Sequence, residues 1–303
     1  VLKGSNLAYS NFCGANLNLS SLENAYLIGA KLRNANLQEA NLEGSNLDQA
    51  HLDNACLVKA NLKQTTLAET IFCGADLKDA QMQGLDLSQA ELLGSDLSRT
   101  NLNWANLQGL NLEETIAPGV QLQGANLKDV VLKGSNLVSS NFCGADLEAS
   151  VLENVNLTGA SIRNANLSES QLRNSNLQEA NLEGSNLHRA HLDNACLIKV
   201  NLKQTTLTET VFCGTDLKDA QMQGLDLSQV ELLGPDLSRT NLNAANLECA
   251  ILHKANVMDA CWRDAKLKYA EIKRAKYSYG ALTYRHVKDP FDFHSYWNYN
   301  GSI

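Results

Sequence analysis

The chain has 303 residues, of which 44% are hydrophobic and 6% aromatic, and its 33 acidic against 25 basic side chains give a formal charge of −8. No run of 18 apolar residues and no signal-peptide pattern occurs, so nothing points to membrane insertion or export, and a cytoplasmic location is the expectation. The excess charge is uneven: residues 251–303 hold nine basic and five acidic groups, leaving 16 basic against 28 acidic in residues 1–250, a balance that repels nucleic acid and anionic membrane.

From Leu2 through Leu7, Phe12 and Leu17 to Ile272, leucine or a close substitute stands at every fifth position. Such a spacing would smear apolar residues round an α-helix and alternate them between the faces of a flat strand. It needs a coil whose backbone turns a corner every five residues. The position two before the central residue is small in nearly every repeat, as at Ser5, Ala15, Ala25, Ala35, Ala40, Ala55, Ala60 and Thr65. One large and one small inward residue per repeat would fill a narrow core.

Runs such as Ala35-Asn36-Leu37-Gln38-Glu39-Ala40-Asn41-Leu42-Glu43-Gly44 and Ala75-Asp76-Leu77-Lys78-Asp79 resemble the pentapeptide-repeat family. The resemblance covers about nine tenths of the chain. It implies an all-β fold, a right-handed quadrilateral β-helix with four repeats per coil and about fourteen coils, with three of every five residues facing solvent. With coils about 4.8 Å apart the rod would be on the order of 65 to 70 Å long. A solenoid of this kind is held by neighbour-to-neighbour contacts and offers partners its long sides.

The chain reads as one continuous β-helix over residues 1–280, built as a tandem duplication with copies at 1–114 and 121–250. Val1 to Leu7 returns as Val131 to Leu137, and Asn61 to Leu67 as Asn201 to Leu207. The first parts are offset by 130 residues, six and a half coils of twenty, which predicts matching surfaces on opposite sides of the rod. Ten extra residues near Ser161 to Ser170 raise the offset to 140, seven whole coils, so from there the copies should face the same way. Between the copies, Thr115-Ile116-Ala117-Pro118-Gly119-Val120 puts alanine in place of the central leucine beside turn-forming Pro-Gly, while Leu112 and Leu122 keep the register. This is the one clear lapse in the pattern, and it predicts a local kink or a thin core.

Eight cysteines, at 13, 56, 73, 143, 196, 213, 249 and 261, follow the repeat and not a ligand motif. Cys13 and Cys73 would share a side but lie three coils apart, roughly 14 Å by strand spacing and beyond disulfide reach, so free thiols are expected. The one polar cluster is His51-Leu52-Asp53-Asn54-Ala55-Cys56, repeated as His191 to Cys196. A metal site would need His, Asp and Cys to converge, yet His51 and Cys56 should point round a corner from each other, so no metal site is assigned. No Ser or Cys stands with a His in a nucleophile arrangement, and no phosphate-binding glycine loop occurs; no catalytic or cofactor residue is assigned and the chain is expected not to be an enzyme. The sequons at Asn18, Asn156 and Asn166 fall out of the repeat, and Asn300 lies in the tail.

Residues 281–303, with Tyr284, Phe291, Phe293, Tyr296, Trp297 and Tyr299, are expected to cap the last coil, a terminus that could also make a homodimer contact. Val1 begins in register without a methionine, so either an upstream segment or docking of the first coil is expected. The functional expectation is a non-enzymatic scaffold for an unidentified protein partner. Within the family, the Qnr-type proteins resemble duplex DNA in shape and charge and bind type II topoisomerases, so the resemblance implies a DNA-mimicking topoisomerase protector as the alternative. Mimicry would require acids lined along one face. A rigid spacer of a larger protein is the third reading.

Overall fold

The computed structural model describes residues 2–271 and 273–277, and the expected cap at 281–303 lies outside the described residues. The backbone is a right-handed quadrilateral β-helix in which parallel bridges join the residue before most centres to the one twenty positions on, from Asn6–Tyr26 to Asn256–Lys276. Four repeats therefore close one coil. We number the faces by their central residues: face 1 carries Leu2, Leu22 and on to Trp262, face 2 Leu7 to Leu267, face 3 Phe12 to Leu252, and face 4 Leu17 to Tyr277.

Every backbone N–H of a regular repeat finds an acceptor. The central residue donates forward to the next coil, as Leu7 N–H to Tyr26 O at 2.8 Å, and so does the residue two after it, as Tyr9 N–H to Ile28 O at 2.8 Å. The residue before the centre donates backward, as Tyr26 N–H to Ser5 O at 2.9 Å, and the small residue closes the corner, as Ser10 N–H to Leu7 O at 3.1 Å. One donor remains, the residue just after the centre. It is taken by the Asn or Asp before the centre: Ala8 N–H donates to Asn6 Oδ1 at 3.2 Å and Gln38 N–H to Asn36 Oδ1 at 3.1 Å. This Asx turn is why the repeat favours Asn or Asp there, since an unpaired amide inside the wall would be costly. The same amides stack coil on coil, as Asn126 Nδ2 to Asn106 Oδ1 at 2.9 Å and Asn106 Nδ2 to Asp86 Oδ1 at 2.9 Å.

The corner residue two after the centre has positive φ, as the third residue of a type II turn must, and so is often Gly or Asn. Among the described repeats two such residues depart from this, Gln89 and Gln229, which hold equivalent places in the two copies. The core is one column of leucines with Phe72, Phe142 and Phe212 fully buried among them. Many inward hydroxyls are bonded to carbonyls, as Thr70 Oγ1 to Leu47 O at 2.8 Å, while those of Ser20, Ser45, Thr115 and Ser150 are buried without a partner.

The structure corrects the expectation of a kink at 115–120. The ladder runs through it on both sides, with Leu97 N–H to Ile116 O at 2.8 Å and Ala117 N–H to Asn136 O at 2.9 Å. The core is thinned only to an apolar void of ≈ 10 Å³ lined by Ala117, Val120 and surrounding leucines. Val120 stands where most repeats have alanine, and its extra bulk replaces part of what Ala117 lacks. The ladder breaks elsewhere, at Leu85, Leu110 and Leu225, where the leucine period is unbroken but a leucine fills the small-residue position; the Thr66–Asp86, Glu91–Asn111 and Thr206–Asp226 bridges are absent.

Candidate interaction faces of the shaft

Because the coil is twenty residues and the register never slips, each outward side chain is assigned to a face by its number alone. Over residues 1–250, face 1 has three acidic and four basic groups, face 3 seven and four, face 4 eight and six, and face 2 ten and two. Face 2 therefore holds most of the shaft's net negative charge. Its acids are Asp48, Glu69, Asp86, Asp129, Asp146, Glu148, Glu169, Glu209, Asp226 and Glu248.

Pairing sharpens the contrast. On face 4, Arg99 clasps Asp79 through two hydrogen bonds of 2.7 Å, Arg239 clasps Asp219 in the same way, and Lys78 bridges Asp76 at 3.4 Å and Asp96 at 3.1 Å. The guanidinium hydrogen bonds hold the Asp79 and Asp219 carboxyls below the usual aspartate range. On face 2, Lys128 pairs with Asp146 and Glu148, and Arg189 with Glu169 and Glu209. The other six acids of that face form no ion pair among the described residues. Asp86 and Asp226 are instead held ionised by hydrogen bonds from the hydroxyls and amides of Ser88 and Ser228 and from Asn106 and Asn246. At coil spacings of about 4.8 Å, the acids of face 2 form an acidic stripe in three blocks of three consecutive coils each.

Face 3 carries the cluster that the sequence singled out. Arg33 Nε donates to Asp53 at 3.1 Å and its Nη lies 3.0 Å from His51 Nδ1, with His51 3.9 Å from Asp53. Cys56 stands on face 4, round the corner, and among the described residues no three of His, Cys, Asp or Glu converge on a metal position. The second copy repeats the arrangement with Arg173, His191 and Asp193, and Cys196 again on face 4. Further along face 3, the Cys73 thiol donates to Glu91 and the Cys213 thiol to Glu231 at 3.2 Å. Burial, reinforced by Glu231, pushes Cys213 up to about 11, and burial likewise raises Cys73. These are protonated thiols acting as donors, the opposite of an activated nucleophile.

Other acids of the shaft accept hydrogen bonds from neighbouring side chains. Asp53 takes Arg33, Glu39 takes Gln38 at 3.5 Å, Glu43 takes Asn61 at 3.0 Å, Glu69 takes Gln49 at 3.1 Å and Glu91 takes Cys73. What sequence reading missed is the acidic stripe. Grouping residues by their remainder on division by twenty would have found it, once the coil length was granted.

No curated protein matches the chain. Among solved structures it is similar to HetL from the cyanobacterium Nostoc sp. strain PCC 7120, a protein involved in heterocyst differentiation regulation, with 28% identity over 71% of this chain and 89% of that one at a TM-score of 0.37. It is also similar to Rfr23 from Cyanothece 51142, with 34% identity over 41% and 62% of the two chains at a TM-score of 0.17. A trypsin-treated QnrB1, a plasmid-mediated fluoroquinolone resistance protein, matches at 15% identity over 84% and 89% with a TM-score of 0.35. The family described as pentapeptide repeats matches in stretches that together span residues 1–92, 95–232 and 234–261. The five-residue period, the twenty-residue coil and that match agree that the chain belongs to the pentapeptide-repeat family.

Proposed function

We propose that the chain is a non-enzymatic protein-interaction scaffold that docks a basic surface of a partner protein along face 2. The observation that carries this reading is the acidic stripe of face 2, ten acidic groups against two basic ones on one side of the shaft, six of the ten in no ion pair among the described residues. A stripe of one sign of charge steers a complementary surface and fixes its register. The non-enzymatic part is supported by cysteines held as thiols and by histidines engaged with Arg33 or carboxylates. A cytoplasmic location belongs to the same proposal.

The second reading, a duplex-DNA mimic directed at a type II topoisomerase, is favoured by the same stripe and weakened by the near balance of the other three faces. Capture from lysate with the full chain, beside a variant carrying Glu69→Lys, Asp129→Lys and Glu248→Lys, tests the proposal. Lysine already occupies the equivalent repeat positions at Lys59, Lys199 and Lys128, so the variant keeps the fold. A partner lost by this variant, but kept by one carrying Glu39→Lys, Glu43→Lys and Glu114→Lys off face 2, supports the reading. A partner that binds both equally refutes face 2 as the docking side, and recovery of a topoisomerase selects the mimic.

A further inference from the structure

The rod is not uniformly laddered. Counting coils from residue 1, the fourth and fifth are joined normally on face 4, with Leu77 N–H to Asp96 O at 2.9 Å, Asp79 N–H to Ser98 O at 3.0 Å and Asp96 N–H to Ala75 O at 2.9 Å. On face 2 the matching bonds are missing: the amides of Leu67, Glu69 and Asp86 have no backbone acceptor, and the Thr66–Asp86 bridge is absent. The eleventh and twelfth coils repeat this. Face 4 is intact, with Leu217 N–H to Asp236 O at 2.7 Å, while Leu207 and Asp226 lose their bonds, Glu209 slips by one residue to Gln229 O, and the Thr206–Asp226 bridge is absent.

The cause is legible in the side chains. Leu85 and Leu225 stand between Thr65 and Ala105, and between Thr205 and Ala245, in a column otherwise built of small residues. The added bulk pushes the coils apart on that side, and the corners after them, Gln89 and Gln229, lose the positive φ of the other described repeats. Solvent enters the wedge: Thr65 and Thr205 are 7% and 9% exposed, against 0 to 1% for Ser45 and Ser185 in the coils before them. The side-chain oxygens of Gln83 and Gln223, at the same place in each copy, are left without partners.

We propose that Leu85 and Leu225 build two hinges into the rod, each a wedge open on face 2 about a closed spine on face 4. The ten extra residues at 161–170 set their phase. With the 140-residue offset the hinges are seven whole coils apart and open on the same side, so their bends add; at 130 residues they would have opposed each other. Flexing at the pair curves the acidic face while leaving face 4 at constant length. A third gap lies on face 3 beside Leu110, next to the first hinge, where the Glu91–Asn111 bridge is absent and the amides of Leu92, Gly94 and Asn111 have no backbone acceptor. The laddered coils from there to the second hinge move as a stiff body, in keeping with nearest-neighbour stability in solenoids.

Amide hydrogen exchange on the full chain, comparing wild type with Leu85→Ala, tests this. In the wild type, Leu67, Glu69 and Asp86, and Leu207 and Asp226, should exchange at least about tenfold faster than Leu77, Asp79 and Asp96. Leu85→Ala restores the small residue of a regular repeat and should slow the first set to the rate of its neighbours while leaving the second set fast. The second hinge thus reports whether the variant remains folded. Equal protection on faces 2 and 4 in the wild type overturns the proposal, as does a variant in which the first set stays fast or exchanges faster while the second is unchanged. Should the variant lose protection everywhere, Leu85→Ser and Leu225→Ala are read by the same criterion.

Discussion

Substituting Ala117 by leucine looks like a repair of the repeat, and the structure predicts that it is not. The void beside Ala117 is ≈ 10 Å³, which at about 24 cal/mol per Å³ is worth only about 0.2 kcal/mol. A leucine adds three carbons, whose burial would contribute about 2.4 kcal/mol at about 0.8 kcal/mol each if there were room. There is not, because Val120 already occupies the corner beside the void. Overfilling a close-packed core typically costs about 1 to 3 kcal/mol net, so Ala117→Leu should be destabilising by about that amount. Pairing it with Val120→Ala restores the usual large and small inward residues, and the double variant should be more stable than the two single effects predict by about 1 kcal/mol or more. Denaturation midpoints of the wild type, both single variants and the double variant measure this coupling. A single Ala117→Leu variant stabilised by 1 kcal/mol or so, or a cycle without coupling, would refute the compensation argument.

Lowering the pH should destabilise the rod through its hydrogen-bonded aspartates. The Ser88 and Ser228 hydroxyls, with backbone amides, hold Asp86 and Asp226 below the ordinary range, and at Asp96 and Asp236 bonds from Ser98 and Ser238 outweigh a burial that pushes the other way. Their stabilisation is present above the unfolded value of about 3.9 and is lost as pH falls through the lower folded values. Asp86→Asn with Asp226→Asn keeps the oxygen acceptors, so thermal midpoints of this variant should fall less steeply below pH about 4 than those of wild type. Alkylation at pH 8 should modify Cys213 more slowly than the exposed Cys13, Cys249 and Cys261, because at a pKa of about 11 its thiolate fraction is on the order of one in a thousand. Glu231→Gln should speed that modification several-fold, read by peptide mass spectrometry; an unchanged rate would show that burial acts alone. Gly124 lies under the exposed ring of Trp104, where an added Cβ would fall inside the indole, whereas Gly84 has nothing within 4 Å. Both have positive φ, so the backbone cost of Gly124→Ala and Gly84→Ala is shared, and Gly124→Ala alone should alter Trp104 fluorescence and cost a further 1 kcal/mol or so.

Much of this molecule is written locally. The coil was legible because a five-residue period has one geometric solution: Leu37 and Ala40 point inward wherever they stand, and a corner that needs positive φ is often filled by Gly or Asn. The Asx role of residues such as Asn36 was hidden, since an outward polar residue looks the same whether it meets water or an amide two residues on. Ala117 looked like a defect and Leu85 did not, because the eye follows the large residues. The void at Ala117 depends on what Val120 fills, and the wedge at Leu85 depends on what Thr65 and Ala105 cannot yield, and both are properties of stacked coils. The acidic stripe is of the same kind: Asp86 and Asp226 are far apart in the chain, and become one surface only because the coil returns the backbone to the same face every twenty residues.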